Sequence, residues 1–287
     1  MGVVHVIAVV LALTTVSWSA KLASRRGVSA LDLSLVLFLV STLFSAIWVA
    51  LQHGGPPPDL LAGGVLAIAA VAGAGGGLAV LAFNHALRLG HFGFSNAIYR
   101  SAFLIPVVAG VLWFNAPLRA TTALGIALVL LGMVLMSWSA DSFRAGERQA
   151  WRWFLTITAA FLLSGLPRLG QLLTSSRGLD YGTYLLLSYL AGFAVLLVAA
   201  LWQHRRPPPA AVGYGAVAGL ASYAGVYCTL EALERLRPTV VFPVTLSGPI
   251  VMGLILSLVV FRERLRLSGW LGIGAAVAGM IVLGLWR

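Results

Sequence analysis

Residues 118–134, LRATTALGIALVLLGMV, and residues 265–281, LRLSGWLGIGAAVAGMI, align without a gap. Leu118 falls on Leu265, Arg119 on Arg266, Gly125 on Gly272, Gly132 on Gly279 and Met133 on Met280. Upstream, HALRLG (His85 to Gly90) answers EALERL (Glu231 to Leu236) at nearly the same offset. Extended outward, the match becomes one pattern of five apolar stretches that occurs twice. Membrane proteins built from two related halves usually hold a site between them, so the duplication points to transport.

Composition sets the solvent. The chain is 60% hydrophobic and 9% charged, with a mean hydropathy of +0.97; an ordinary soluble domain would be about 25% charged. A spanning helix needs roughly 20 mostly apolar residues. Ten such spans fit, at 3–20, 31–51, 60–82, 94–114, 118–139, 152–173, 181–202, 210–230, 239–261 and 267–286. Residues 1–20 make a poor signal peptide, since no positive region precedes the apolar run and no A-x-A site follows it. The lone cysteine, Cys228, excludes an intrachain disulfide and a cysteine-based metal centre. A net charge of +11 would suggest nucleic acid in a soluble protein. Here it reads as topology and headgroup contact, and nucleic acid is not an expected partner.

The expected fold is an all-α integral membrane protein of ten transmembrane helices, arranged as two inverted five-helix repeats. Residues 1–140 form the first repeat, 141–150 the linker and 151–287 the second. Proline runs at Pro56 to Pro58 and Pro207 to Pro209 break each half between its second and third spans. Five helices per half is an odd number, so the second copy must enter from the opposite side. Twelve of the nineteen Lys and Arg fall on one side, five on the other, and Arg100 and Arg168 lie within spans. Positive-inside counting puts the richer side in the cytoplasm and both termini outside.

Four features carry a family resemblance: Ala232-Leu233 ending the eighth span, Pro249 in the ninth, the Arg262-Glu263-Arg264-Leu265 turn, and the Gly272 to Gly279 spacing in the tenth. With them the chain resembles the drug/metabolite transporter superfamily, in particular its EamA-type ten-helix members. The first half departs from that pattern, with Asn115-Ala116-Pro117 where the glutamate turn would stand and Pro106 nearer its helix end. The resemblance implies a secondary transporter of the cell (inner) membrane, usually an exporter, with a cavity between the halves. It also implies cytoplasmic termini, against the charge count.

Arg100, in SNAIYRSAFLIP, and Arg168, in SGLPRLGQ, are the sharpest candidates. A charge at the bilayer centre costs on the order of 3 kcal/mol and generally faces a cavity or a partner. A guanidinium offers a planar fork suited to carboxylate or phosphate. Each arginine therefore either attracts an anionic group or serves structure by snorkelling or pairing. Asn84, Asn96, Tyr99 and Tyr227 are further candidates for a substrate-binding wall, with Trp18 and Tyr223 behind them. His85 and Glu231 occupy corresponding positions and form a candidate proton-coupling pair; the bland reading is a polar helix end, with Glu231 balanced by Arg235. Gly248 and Pro249 mark a candidate bend, because proline removes a backbone hydrogen bond, a defect that neighbouring protein or a wet cavity can absorb.

These readings converge on an alternating-access carrier, most simply an exporter, of a small amphipathic or anionic metabolite. Its partners would be that substrate and membrane lipid, as a monomer or homodimer, with no cofactor. A lipid or lipid-linked sugar flippase on the same scaffold is the nearest alternative. An intramembrane enzyme is disfavoured by the absence of HExxH and G-x-S-x-G motifs, and a scaffold subunit remains open.

Overall fold

The computed structural model describes residues 2–54, 64–89, 95, 98–114, 119–138, 147–204, 207–261 and 267–285. The linker residues 139–146, Asn96 and the turns at 115–117 and 262–265 lie outside the described residues. Among those described there are ten α-helices. They are α1 (Gly2–Arg25), α2 (Ala30–His53), α3 (Val65–Leu89), α4 (Leu104–Phe114), α5 (Ala120–Trp138), α6 (Glu147–Ser176), α7 (Tyr181–Trp202), α8 (Pro209–Arg235), α9 (Pro238–Phe261) and α10 (Leu267–Leu285). A 3-10 turn, Ser101–Phe103, leads into α4. Six helices, α1 to α3 and α6 to α8, are long and apolar enough to cross a bilayer. The other four contribute the shorter apolar helices Ile98–Trp113, Ala120–Leu135, Pro238–Gly253 and Leu267–Leu283.

The expected all-α, ten-helix architecture holds. Lipid cannot satisfy backbone N–H and C=O groups, so an apolar chain meets them within helices. Helix ends are closed locally. Ser29 caps α2 by accepting the Asp32 N–H at 3.1 Å, and Asp180 caps α7 by accepting the Thr183 N–H at 2.7 Å. Val4, Ile7 and Leu11 on α1, and Leu43, Ile47 and Leu51 on α2, recur at helical spacing and are exposed, as acyl-chain contact requires. Several limits differ from expectation: α1 runs to Arg25 rather than 20, and α8 to Arg235 rather than 230. The third span lies at Val65–Leu89 rather than 60–82, and Glu147 to Ala150, read as linker, belong to α6.

Neighbouring residues fix the direction of each helix. Gly125 meets Gly279 while Gly132 meets Gly272, so α5 and α10 cross antiparallel. Phe38 meets Gly192 and Val49 meets Gly182, so α2 and α7 do the same. The pairs α3 with α6, through Gly75 on Leu166, and α1 with α8, through Gly225 on Leu13, are among the most extensive. Glycine is what permits these approaches: a Cβ at Gly132 would lie 2.7 Å from both the Gly272 carbonyl and the Ala276 nitrogen. Two faces result. One carries Gly2 and the ends of α2, α6 and α8; the other carries Arg25 and the ends of α3, α5 and α7.

Relating each helix of the first half to the one five places later reproduces the most extensive contacts. The α3–α6 contact becomes α8–α1, α3–α7 becomes α8–α2, and α2–α7 and α5–α10 map onto themselves. Side chains follow the same register. With His85 set on Glu231, and the cap Ser29 on the cap Asp180, the approach of Gly73 to the Ser188 backbone becomes that of Gly219 to Leu37. The structure contains both, and a Cβ at Gly219 would lie 2.7 Å from the Leu37 carbonyl.

Candidate functional site

The exchange-related helices do not fill the space between them. A cavity of about 340 Å³ is walled by residues of α1, α2, α3, α6, α7, α8 and α9 and by residues 99–102. Its α3 residues, Ala72 to Val80, and its α6 residues, Ser164 to Gln171, come from mid-helix, which places it at mid-depth.

On α6, Ser164, Pro167, Arg168 and Gln171 share one face at helical spacing and all reach the cavity. Pro167 has no N–H, which leaves the carbonyl one turn earlier without its usual helical donor. The Tyr184 hydroxyl donates to the Pro167 carbonyl at 3.1 Å, tying α7 to α6 beside Arg168. Arg168 shares the cavity wall with Tyr99, Tyr184 and Tyr189. Across the space, Arg100 donates to the Ser17 hydroxyl on α1 at 3.4 Å, and both guanidiniums line the same cavity. Both are half-buried because they face the cavity.

The remaining wall is aromatic and hydroxylated. Tyr99 stacks on Phe83 at 4.4 Å between centroids, and the hydroxyls of Tyr189 and Ser222 are 2.9 Å apart. Gln171 is only 2% exposed, and its Oε1 has no hydrogen-bond partner among the described residues. No aspartate or glutamate is among the described residues that line the cavity. Desolvating a cation costs several kcal/mol unless an opposite charge or good hydrogen bonds compensate. Arg100 and Arg168 thus bring two cationic groups and several hydroxyls to one wall. No group of three or more His, Cys, Asp or Glu among the described residues is placed to hold a metal.

The other candidates fall elsewhere. Asn84 and His85 line a separate vestibule of about 420 Å³ on the Arg25 face, together with Ser29, Arg88 and Gln203. Glu231 lies at the opposite end of the molecule, on the Gly2 face, 3.4 Å from Arg235. His85 and Glu231 thus occupy matched positions at opposite mouths and do not meet. Tyr227 and Tyr223 stand one layer outward from the cavity, in an aromatic cluster. Trp18 is half-buried on α1 and is not part of the wall. Gly248 and Pro249 are buried, and Gly248 abuts Val10 of α1; Leu246 is the α9 residue that reaches the cavity. Sequence reasoning missed Gln171, Tyr184, Tyr189 and the wall serines. The spacing from Ser164 to Gln171 was the available signal for Gln171.

Residues 150–285 match the EamA-like transporter family, a membrane transporter family of the drug/metabolite transporter superfamily. The resemblance read from Ala232-Leu233, Pro249 and the glycine-rich last span is thereby borne out over the second half. One solved structure, described only as a crystal structure of a protein, superposes with a TM-score of 0.79. It is 14% identical over 99% of this chain and 97% of that chain, a likeness of fold. No curated protein matches the chain.

Proposed function

We propose, from the match of residues 150–285 to the EamA-like transporter family, that the protein is a secondary transporter of a small organic anion. The observation that carries this reading is the presence of the Arg100 and Arg168 guanidiniums together on the wall of one mid-depth cavity. A volume of about 340 Å³ falls in the range of small-molecule sites. Tyrosine and serine hydroxyls beside the guanidiniums suit an anion that also bears hydroxyl groups. The unpartnered Gln171 Oε1 calls for a donor on that molecule, and the nearby positive charge favours a neutral hydroxyl over an ammonium.

Antiparallel packing of α2 on α7 and of α5 on α10 supports inverted repeats, the architecture on which alternating access rests. If the Arg25 face is cytoplasmic, as its basic residues suggest, the vestibule lined by His85 and Arg88 collects anions from inside the cell and the direction is export. The test is flux of labelled hydroxycarboxylates, dicarboxylates and sugar phosphates in proteoliposomes containing this protein alone. Arg100→Ala and Arg168→Ala should each lower kcat/KM by about 10- to 150-fold, the equivalent of one charged hydrogen bond of about 1.5–3 kcal/mol. Unchanged kinetics in both variants would refute the anion site. Enrichment of substrates without an acidic group would do the same.

A further inference from the structure

The two mouths of the pathway occupy matched positions in the two halves, yet they are built from different side chains. On the Gly2 face, five rings from α2, α7 and α8 interlock. Phe44 packs on Tyr223 at 4.9 Å, Trp48 on Tyr227 at 6.3 Å, Tyr181 on Tyr227 at 6.4 Å and Tyr223 on Tyr227 at 6.3 Å, all between centroids. The Tyr181 hydroxyl donates to Glu234 at 2.6 Å, joining α7 to α8. His53 on α2 lies 4.0 Å from Asp180 at the start of α7.

The register that relates Gly73–Ser188 to Gly219–Leu37 identifies the counterparts of these rings on the Arg25 face. Tyr181 corresponds to Ala30, Trp48 to Ala199, Tyr227 to Leu81, Phe44 to Val195 and Tyr223 to Gly77. Ala30, Leu81 and Ala199 line the vestibule of about 420 Å³. Val195 and Gly77 touch just as Phe44 and Tyr223 do. Glu234 corresponds to Arg88 and Tyr181 to Ala30, so the matching pair lacks the tyrosine hydroxyl. Among the described residues, one mouth carries packed rings tied by a hydrogen bond, and the matching positions at the other are small or aliphatic side chains beside the vestibule.

We infer that Phe44, Trp48, Tyr181, Tyr223 and Tyr227 form the closed gate of this transporter, with the Tyr181–Glu234 hydrogen bond as its latch, and that the cavity is reached from the Arg25 face by way of the vestibule. This rests on the transport reading only in that the cavity must communicate with one face at a time. Breaking the latch removes a hydrogen bond found in the closed form alone, so it shifts the balance toward the form open on the Gly2 face. For one bond to a carboxylate in an exposed setting the shift is about tenfold.

A substrate-free measurement separates this inference from the anion reading. In a Cys228→Ala background, which removes the chain's lone cysteine, Ser34→Cys places one thiol on the cavity wall. Labelling by a membrane-impermeant maleimide is then timed from each face in oriented vesicles. The expected result is rapid labelling from the Arg25 face and slow labelling from the Gly2 face. Tyr181→Phe, which keeps the ring, should raise the Gly2-face rate about tenfold, and Trp48→Ala should raise it further. Equal labelling from both faces in the starting protein would overturn the inference. Labelling from neither face, or a Gly2-face rate unmoved by both variants, would overturn it equally. If the predicted labelling pattern appears but no anion is carried, the gate stands and the anion site falls.

Discussion

Replacing Gly132 by alanine tests the helix pairing on which the two-half architecture depends. A Cβ there would sit 2.7 Å from the Gly272 carbonyl oxygen, 2.7 Å from the Ala276 nitrogen and 2.8 Å from the Ala276 Cβ. Ordinary contact begins near 3.4 Å, so α5 and α10 would have to separate by several tenths of an ångström. The obstructing atoms are mainly backbone, and no rotamer change relieves the clash. Overpacking of this kind costs about 1–3 kcal/mol, against a gain of about 0.5–1 kcal/mol from replacing a helical glycine by alanine. The control is Gly274→Ala on α10, whose Cβ would meet nothing within 4 Å and which should be neutral or slightly stabilising. Thermal unfolding in detergent, followed by size-exclusion fluorescence, compares the two. Gly132→Ala should lower the midpoint by several degrees while Gly274→Ala leaves it level or raises it. Equal midpoints would mean that α5 and α10 do not approach as described.

Other expectations follow from single contacts. Arg168→Lys keeps the charge but loses the planar fork, so it should retain anion transport better than Arg168→Gln while still raising KM several-fold; flux assays decide, and equal loss would argue against charge attraction. Tyr184→Phe should cost about 1 kcal/mol of stability by removing the bond to the Pro167 carbonyl. Tyr223→Phe removes a buried hydroxyl that has no described hydrogen-bond partner, so its unfolding midpoint should stay level or rise. Gln171→Leu should weaken binding of hydroxylated anions by about tenfold and leave their non-hydroxylated analogues unaffected, as measured by competition for uptake.

The helices and their number were legible because lipid imposes one simple rule, a long apolar run for each crossing. The α7 limits, Tyr181–Trp202, coincide with the expected 181–202. Arg100 and Arg168 were legible for the same reason, since a cation within an apolar run is conspicuous. The limit of α3 was not. Asn84 and His85 read as the end of a span, but the helix continues to Leu89 because these side chains and Arg88 are received by a vestibule.

The cavity wall was also largely hidden. In a helix that is apolar on every side, the face toward lipid and the face toward the hollow differ by a few hydroxyls, and Tyr184, Tyr189, Ser34, Ser188 and Ser222 leave no strong period. His85 and Glu231 lie apart for a geometric reason. Equivalent positions in chains that run in opposite directions point to opposite faces, so the symmetry that matched the two residues also keeps them apart.

The crossing of α5 and α10 has a mechanical consequence. Trading the roles of the two halves returns Gly125 on Gly279 as Gly132 on Gly272, so that junction looks the same before and after the trade. A reorientation that exchanges inward and outward exposure can therefore leave it stationary, as a fulcrum. Under the proposed transport reading, the displacement falls on pairs that do not map onto themselves, such as α3 with α6 and α1 with α8.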